Sequence, residues 1–359
     1  MSGPLKTGDL IAGRYEVIRY LDEGGMQFVY IANDRTTNRQ IALKTPKNNS
    51  AKKRFNRSAV VAAKVNHPNV AKTLDYIEDG GKTFLVEELI DGEDLKKALL
   101  TKTDFVDPYM AARVFHHLAK AIAAAHHTGV VHRDLKPTNV MVVGGYNLIE
   151  LKITDFGIAK MAEAEMDEAV EGGDESLSAS ATAVGALPYM APEAIEDPSS
   201  VGLPADIWSV GAMMYHILCG KYPFGSGLRA VPKIVAAVKP DAPRFVRQRV
   251  QFKPLADDLM AIIHACLEKD SNIRPTADEL VTMCSALCYS ISERYIGKVD
   301  EVRFNSFGFI QSPVGRVFYN NESVFGGKPE TGDEVLFSCY SGGQLPRALP
   351  VIKLKKPVS

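Results

Sequence analysis

The stretch that most constrains this 359-residue chain runs from residue 131 to 157: V-H-R-D-L-K-P-T-N-V-M, a hydrophobic segment broken by a Gly-Gly turn, then I-T-D-F-G. Asp134, Lys136 and Asn139 place a proton acceptor, a cation and a neutral metal ligand on one short loop. A second carboxylate, Asp155, follows a turn and a strand. Phosphoryl transfer needs this inventory, because the protein mainly positions an acceptor hydroxyl and neutralises charge on a metal-bound triphosphate. A lone His-Arg-Asp recurs by chance and usually marks a surface ion pair. Two linked motifs in order are far more restrictive.

Composition narrows the class. With 46% hydrophobic and 24% charged residues the chain is of ordinary globular type, long enough for two or three packed units. The formal net charge of -1 argues against a chain-wide basic surface for duplex DNA, so any nucleic-acid site must be local. The five cysteines are dispersed without a C-x-x-C pair and read as reduced thiols. No apolar run approaches the roughly 18 residues of a membrane span, and the first residues lack a signal-peptide core. These features lead to the expectation of a cytoplasmic protein.

Between residues 14 and 45, Y-E-V-I-R-Y, F-V-Y-I-A and Q-I-A-L-K alternate in hydrophobicity and imply a three-strand antiparallel meander, with L-D-E-G-G-M-Q-F-V-Y spanning its first turn. Residues 50 to 66 have helical spacing and stop at His67-Pro68-Asn69. Asp107-Pro108 opens a long alanine-rich helix, a capping residue followed by proline in the first turn. After D-F-G, an acidic, small-residue-rich stretch reads as a loop. Beyond residue 295, aromatic and β-branched residues alternate between Gly-rich turns and imply a small β-barrel.

The ordered pair H-R-D-x-K-x-x-N and D-F-G resembles the protein-kinase pattern, and residues from about 8 to 290 resemble a eukaryotic-type Ser/Thr protein kinase of the kind common in bacteria. The resemblance implies an α+β, two-lobed kinase fold over 1–290, with an N-lobe at about 8–90, a C-lobe at about 91–290 and an activation segment at 155–193. It implies ATP and Mg²⁺ as cofactors, and a protein bearing Ser or Thr hydroxyls as substrate. Asp134 then orients the hydroxyl and accepts its proton, Lys136 meets the γ-phosphate, Asn139 and Asp155 hold metal, and Lys44 meets the ATP phosphates. Leu21, Gly24, Gly25, Val29, Ala42 and Met141 fall at nucleotide-binding positions, and the backbone around Glu88, Leu89 and Ile90 at the adenine hinge. Ser176, Ser178, Ser180 and Thr182 are candidate phosphorylation sites, with Arg133 as the cation for the phosphate. Asp206 would brace the catalytic loop and Arg274 pair with Glu193.

The chain departs from the pattern at several points. Asp22 and Gln27 stand where the glycine-rich loop has glycines, Ala186 replaces a usual Thr, and Ser58 occupies the place of the helix Glu that pairs with the strand lysine. No acid occurs between Lys44 and Asp75. Aligning F-L-V-E-E-L with the strand entering the hinge puts Glu87 at a normally apolar position beside the Lys44 strand. A carboxylate buried there is most easily explained by a nearby cation, so Glu87 is expected to pair with Lys44. A one-residue shift in register would instead leave Glu87 solvated.

Residues 296–356 resemble a cold-shock domain, an OB-type barrel, through G-K-V, F-G-F-I, V-F-Y-N, G-D-E-V-L-F and R-A in order. That family stacks bases of single-stranded RNA or DNA on aromatic rings, which places Phe307, Phe309, Phe318 and Tyr319 as candidates, although alternation can turn one of each adjacent pair inward. Glu301 and Asn320 depart from its usual Trp and His. The whole chain then has two readings. One is an ATP- and Mg-dependent Ser/Thr kinase with an appended domain for single-stranded nucleic acid. The other is a nucleotide-binding pseudokinase scaffold whose tail binds RNA or protein. The complete catalytic loop favours the first, and Asp22, Gln27, Ser58 and Ala186 the second.

Overall fold

The computed structural model describes residues 3–23, 27–47, 55, 62–156 and 185–356. Six strands, β1 (Leu10–Ile11), β2 (Tyr15–Glu23), β3 (Gln27–Asp34), β4 (Arg39–Pro46), β5 (Thr73–Asp79) and β6 (Lys82–Glu88), make one antiparallel sheet in the order β1-β2-β3-β4-β6-β5. The expected meander is β2 to β4. Tyr15, Val17, Tyr30, Ala32, Ile41, Leu43, Phe84 and Val86 form the apolar core of this lobe, as the period-2 rule requires of a half-buried sheet. Strand register sets which side chains meet on the opposite face: Val29 lies across from Lys44, and Ala42 across from Glu87. Most of the 50–66 stretch, Ser58 included, lies outside the described residues, as do Gly24, Gly25 and the serines and threonine between 176 and 182.

A larger helical lobe comes next. It holds the short strands β7 (Glu93–Asp94), β8 (Val140–Val143) and β9 (Glu150–Ile153), and the helices α1 (Leu95–Leu100), α2 (Pro108–His127), α3 (Pro192–Glu196), α4 (Leu203–Cys219), α5 (Val231–Ala236), α6 (Lys253–Cys266) and α7 (Ala277–Ser285). Helix α2 starts where the sequence places it, with the Asp107 carboxylate accepting from Tyr109 N and Met110 N and Pro108 in the first turn. Its alanines 111, 112, 119, 121 and 125 are buried, and such small side chains let α4 and α7 pack closely against it. Helix α7 opens on a reciprocal cap between Thr276 and Glu279. No described helix is long and apolar enough to cross a membrane.

Five further strands, β10 (Arg294–Arg303), β11 (Phe307–Ser312), β12 (Gly315–Asn320), β13 (Glu334–Tyr340) and β14 (Arg347–Lys353), close into a barrel in the order β10-β11-β12-β14-β13. The two-lobed architecture with an appended small barrel is therefore the fold of this chain. Val299, Ile310, Val317, Tyr319, Val335, Phe337 and Val351 fill the barrel. On β13 and β14 the opposite side chains, Leu336 and Ile352, join the core of the helical lobe instead. Phe325 extends that junction, its ring 5.6 Å from Phe105, 5.6 Å from Phe245 and 5.3 Å from Phe252. Beside it Arg294 and Asp107, both buried, pair at 2.9 Å, so the helix cap is also the anchor of the barrel.

The alternation corrects one expectation about the barrel. Tyr319 is 1% exposed and packs inward over Gly308, whose missing side chain leaves room for the ring. It is a core residue and offers no surface to a base. Its neighbour Phe318 faces outward beside Phe307 and Phe309, because adjacent residues of one strand point to opposite sides.

Candidate active site

The H-R-D-L-K-P-T-N loop between α2 and β8 is held from below by one buried carboxylate. Asp206, in the first turn of α4 and fully buried, accepts from the backbone N–H of His132 and of Arg133, both at 2.8 Å, and lies 3.0 Å from His126 Nε2. These bonds fix the backbone where it is least relaxed, since Arg133 has φ 68. Burying Asp206 is tolerable because strong N–H donors replace its hydration. A second bidentate pair, Arg274 to Glu193 at 2.6 and 2.8 Å, ties the α7 approach to α3.

On that support the loop side chains converge. Lys136 Nζ lies 2.8 Å from the Asp134 carboxylate, and Asn139 Nδ2 donates to the Asp134 carbonyl at 2.8 Å and to its carboxylate at 3.0 Å. With its amide nitrogen committed to Asp134, Asn139 has its amide oxygen to offer to a cation. Thr154 N donates to the Asn139 carbonyl at 2.9 Å, which brings Asp155, two residues past the end of β9, alongside the loop. His132 Nε2 sits 2.8 Å from the Thr154 carbonyl and its ring 4.6 Å from that of Phe156, so one imidazole holds the residues on either side of Asp155. Asp155 has φ 61, a conformation that costs about 1–3 kcal/mol for a residue with a side chain and is characteristic of functional sites.

Across the cleft, Lys44 reaches Asp155 at 2.7 Å and Glu87 at 2.6 Å. The register makes this possible: Glu87 is paired with Ala42, two residues from Lys44 on the same face of β4. Glu87 is 5% exposed, so the solvated alternative does not describe it. Burial pulls the Lys44 ammonium down, but Asp155 and Glu87 outweigh it and hold the group above the ordinary lysine value. Burial pushes Glu87 up, with Lys44 opposing. Asp155 is also penalised by burial, yet Lys44 and Gln27 keep it below the usual carboxylate range.

The remaining nucleotide positions are distributed around this centre. Leu21 on β2 is exposed, Val29 on β3 is half-buried opposite Lys44, and Ala42 is buried on β4. Glu88 closes β6 and its carboxylate takes Lys152 Nζ at 2.9 Å and Lys72 N at 2.8 Å. Lys152 is the register partner of Met141, so Met141 on β8 lies beside the connection between the lobes. The Glu88 N–H donates to the Lys72 carbonyl, and the Ile90 carbonyl accepts from Gly92 N.

One contact at this site escapes motif reading. Gln27 Nε2 donates to Asp155 Oδ1 at 2.9 Å, from a position where the family pattern has glycine. Strand alternation could have found it, because Gln27 lies two residues from Val29 and on the same face, toward Lys44.

The oxygen set of Asn139 and Asp155 suits a small hard cation such as Mg²⁺, and Lys44 and Lys136 suit phosphate oxygens. Comparison with known proteins agrees with this chemistry. A family model described as a protein kinase domain matches residues 15–284. The chain is 34% identical over 229 residues to the probable serine/threonine-protein kinase pknA2 of Bifidobacterium longum, covering 62% of this chain and 28% of that protein. It is 30% identical over 300 residues to serine/threonine-protein kinase pkn2 of Myxococcus xanthus, covering 77% and 33%. It is 32% identical over 298 residues to serine/threonine-protein kinase PknJ of Mycobacterium tuberculosis, covering 80% and 48%. The chain thus spans less than half the length of each of these relatives. Among solved structures it is similar to Rad53 1-466 in complex with AMP-PNP, with a TM-score of 0.56 and 26% identity over 75% of this chain and 64% of that one.

Proposed function

Because the chain belongs to the protein kinase domain family, we propose that it transfers the γ-phosphate of ATP to Ser or Thr hydroxyls of a protein. The observation that carries this reading is the joined pair of clusters, Asp134–Lys136–Asn139 and Lys44–Asp155, coupled through the Thr154–Asn139 backbone bond. Asp134 orients the acceptor hydroxyl and takes its proton as the oxygen attacks phosphorus and the bond to ADP breaks. Lys136 faces the γ-phosphate. Mg²⁺ held by Asn139 and Asp155 would neutralise the phosphate oxygens. Adenine would use the Glu88 carbonyl and the Ile90 N–H, neither of which serves the Lys72 or Gly92 contacts, between Leu21 and Val29 above and Met141 below. Gly24 and Gly25 would let the backbone approach the phosphates.

Lys44 takes Glu87 as its carboxylate partner in place of the absent helix acid. The anchor then belongs to the sheet itself, and lysine placement does not depend on the position of the 50–66 segment. Of the departures that favour an inactive scaffold, Asp22, Gln27, Ser58 and Ala186, the missing helix acid at Ser58 is offset by Glu87, which supplies the charge that position lacks. The catalytic unit is read as residues 1–290 and the appended unit as 296–356, in a cytoplasmic protein.

The barrel is read as a cold-shock-like, OB-type module that binds single-stranded RNA or DNA weakly. Phe307, Phe309 and Phe318 lie 5.6–6.1 Å apart, and Phe304, 87% exposed, is 6.2 Å from Phe307. This platform is on β11 and β12, away from the β13–β14 face that packs on the helical lobe. Arg316 lies 4.1 Å over the Phe309 ring but is already paired with Asp300 and Glu301, and Arg303 with Glu301. Stacking would therefore outweigh phosphate attraction, giving shallow salt dependence.

Incubation of the full chain with Mg²⁺ and ATP, with mass spectrometry of the product, tests the kinase reading. Phosphoserine or phosphothreonine within 176–182 is expected, with Arg133 as its cation. Phosphate only on tyrosine, or none at all, would contradict it.

A further inference from the structure

Gln27 is an anomaly in a site otherwise explained. It is the first residue of β3, only 6% exposed, and its amide is divided between two situations. Nε2 donates to Asp155 Oδ1 at 2.9 Å, the same oxygen that receives Lys44 at 2.7 Å. Oε1 is buried and has no hydrogen-bond partner among the described residues. The amide cannot be turned to relieve this, because the rotated group would set its oxygen against the carboxylate and leave two N–H groups unpaired. In the bare chain the side chain therefore gives up its hydration at one end without compensation.

The orphan is an acceptor lying beside an aspartate of the proposed metal site. Phosphate oxygens cannot satisfy it, since both would be acceptors. A cation or its bound water can. Mg²⁺ sheds water reluctantly and keeps several waters when held by one or two carboxylates, and these are strong donors directed outward from the ion. Nor does Gln27 act as a plug on charge grounds: it is neutral, and Asp155 keeps its negative charge and its second oxygen.

We propose that Gln27 is a positioning residue of the metal site, whose Nε2 fixes the Asp155 carboxylate and whose Oε1 accepts a hydrogen bond from water on the nucleotide-bound Mg²⁺. The proposal rests on the kinase reading of Asp155. It makes the loss of the family glycine a gain of metal affinity, traded against backbone closeness to the phosphates.

The test is Mn²⁺ binding to the full-length chain, monitored by electron paramagnetic resonance in the presence of a non-hydrolysable ATP analogue, for wild type, Gln27→Met, Gln27→Glu and Asp155→Asn. Methionine keeps the length and removes both polar contacts. Loss of an outer-shell partner typically weakens metal binding about 10–100-fold, so Gln27→Met should show a loss in that range, while analogue affinity in EDTA stays within about twofold of wild type. Gln27→Glu keeps an acceptor for the metal-bound water but replaces the N–H that Asp155 accepts with an oxygen, so it too should bind Mn²⁺ more weakly than wild type; it keeps the test decisive if methionine perturbs folding, and wild-type binding by it would overturn the part given to Nε2. Wild-type or tighter Mn²⁺ binding by Gln27→Met, with binding lost in Asp155→Asn, would overturn the proposal alone. Wild-type binding by Gln27→Met and Asp155→Asn alike would overturn the metal-site reading as well.

Discussion

Glu87→Gln keeps the size of the side chain and removes its charge, which isolates the part played by the pair at 2.6 Å. The glutamine oxygen still accepts from the Lys44 ammonium, so the exchange keeps a charge-assisted bond and forfeits the attraction between the two opposite charges, about 1–2 kcal/mol of lysine anchoring. The loss of about 3–5 kcal/mol seen when a buried ion loses its sole partner does not apply, because Lys44 retains Asp155 at 2.7 Å. Stability should change less than anchoring does, since burial already raises Glu87 and the amide escapes that penalty. Nucleotide binding should respond more, because Asp155 is then shared between the lysine and the metal. The expected result by calorimetry, with Mg²⁺ and a non-hydrolysable ATP analogue, is an affinity about 5–30-fold weaker, the equivalent of that 1–2 kcal/mol. Linkage gives a second readout. A carboxylate raised above its ordinary value of 4.5 contributes stability that is present in acid and is lost as pH rises through its folded value. Glu87→Gln should remove that slope from a plot of melting temperature against pH, while Ser58→Ala should change neither readout. Wild-type affinity in Glu87→Gln would refute the claim that this carboxylate anchors Lys44.

Further expectations concern the barrel, its junction and two half-buried histidines. Phe309→Ala and Phe318→Ala should each weaken binding of single-stranded RNA to the full chain by about 1–3 kcal/mol per lost stack, measured by fluorescence anisotropy at low salt; no binding to any oligonucleotide pool by wild type would make the platform a protein-interaction surface. Tyr319→Ala should instead destabilise the barrel by about 3–5 kcal/mol in chemical denaturation, as expected for an aromatic core residue. Arg294→Ala leaves buried Asp107 without its cation and should cost about 3–5 kcal/mol in the same assay; an unchanged midpoint would show that the pair does not anchor the barrel. Burial pushes His117 and His216 down to about 4, so the stability they contribute is present above their ordinary 6.5 and is lost as pH falls toward 4. His117→Gln should therefore reduce the acid-side fall in melting temperature, and an identical pH profile would contradict this.

Much of the fold was legible because local rules and tertiary demands coincide. The Asp107-Pro108 start of α2, the alternation of β2 to β4 and the change of period after residue 295 are each set by short-range physics that burial reinforces. The Asp134–Lys136–Asn139 cluster was legible for a different reason, its three polar groups being concentrated within a few consecutive residues. Glu87 required a register argument, and a slip of one residue would have turned it to solvent. Tyr319 was ambiguous for the same reason, since a dipeptide of two aromatics does not declare which ring faces in. Gln27 was read only as a missing glycine, because a substitution pattern records what is lost and is silent about what the new side chain can reach 128 positions away. The Arg294–Asp107 anchor was equally hidden: a helix cap explains the aspartate completely until the second module is placed against it.

The central claim, that the joined clusters transfer phosphate, is tested most directly by the rate of label incorporation from γ-labelled ATP into the full-length chain, measured beside Asp134→Asn. Asparagine preserves the shape of the loop and can still accept from Asn139, but it cannot take the hydroxyl proton. General-base catalysis typically contributes 10²–10⁴-fold, so incorporation should fall by at least about 100-fold in the variant and be recovered by neither higher Mg²⁺ nor higher ATP. Equal rates in the two proteins, or no labelling of wild type at any Mg²⁺ concentration, would contradict the account.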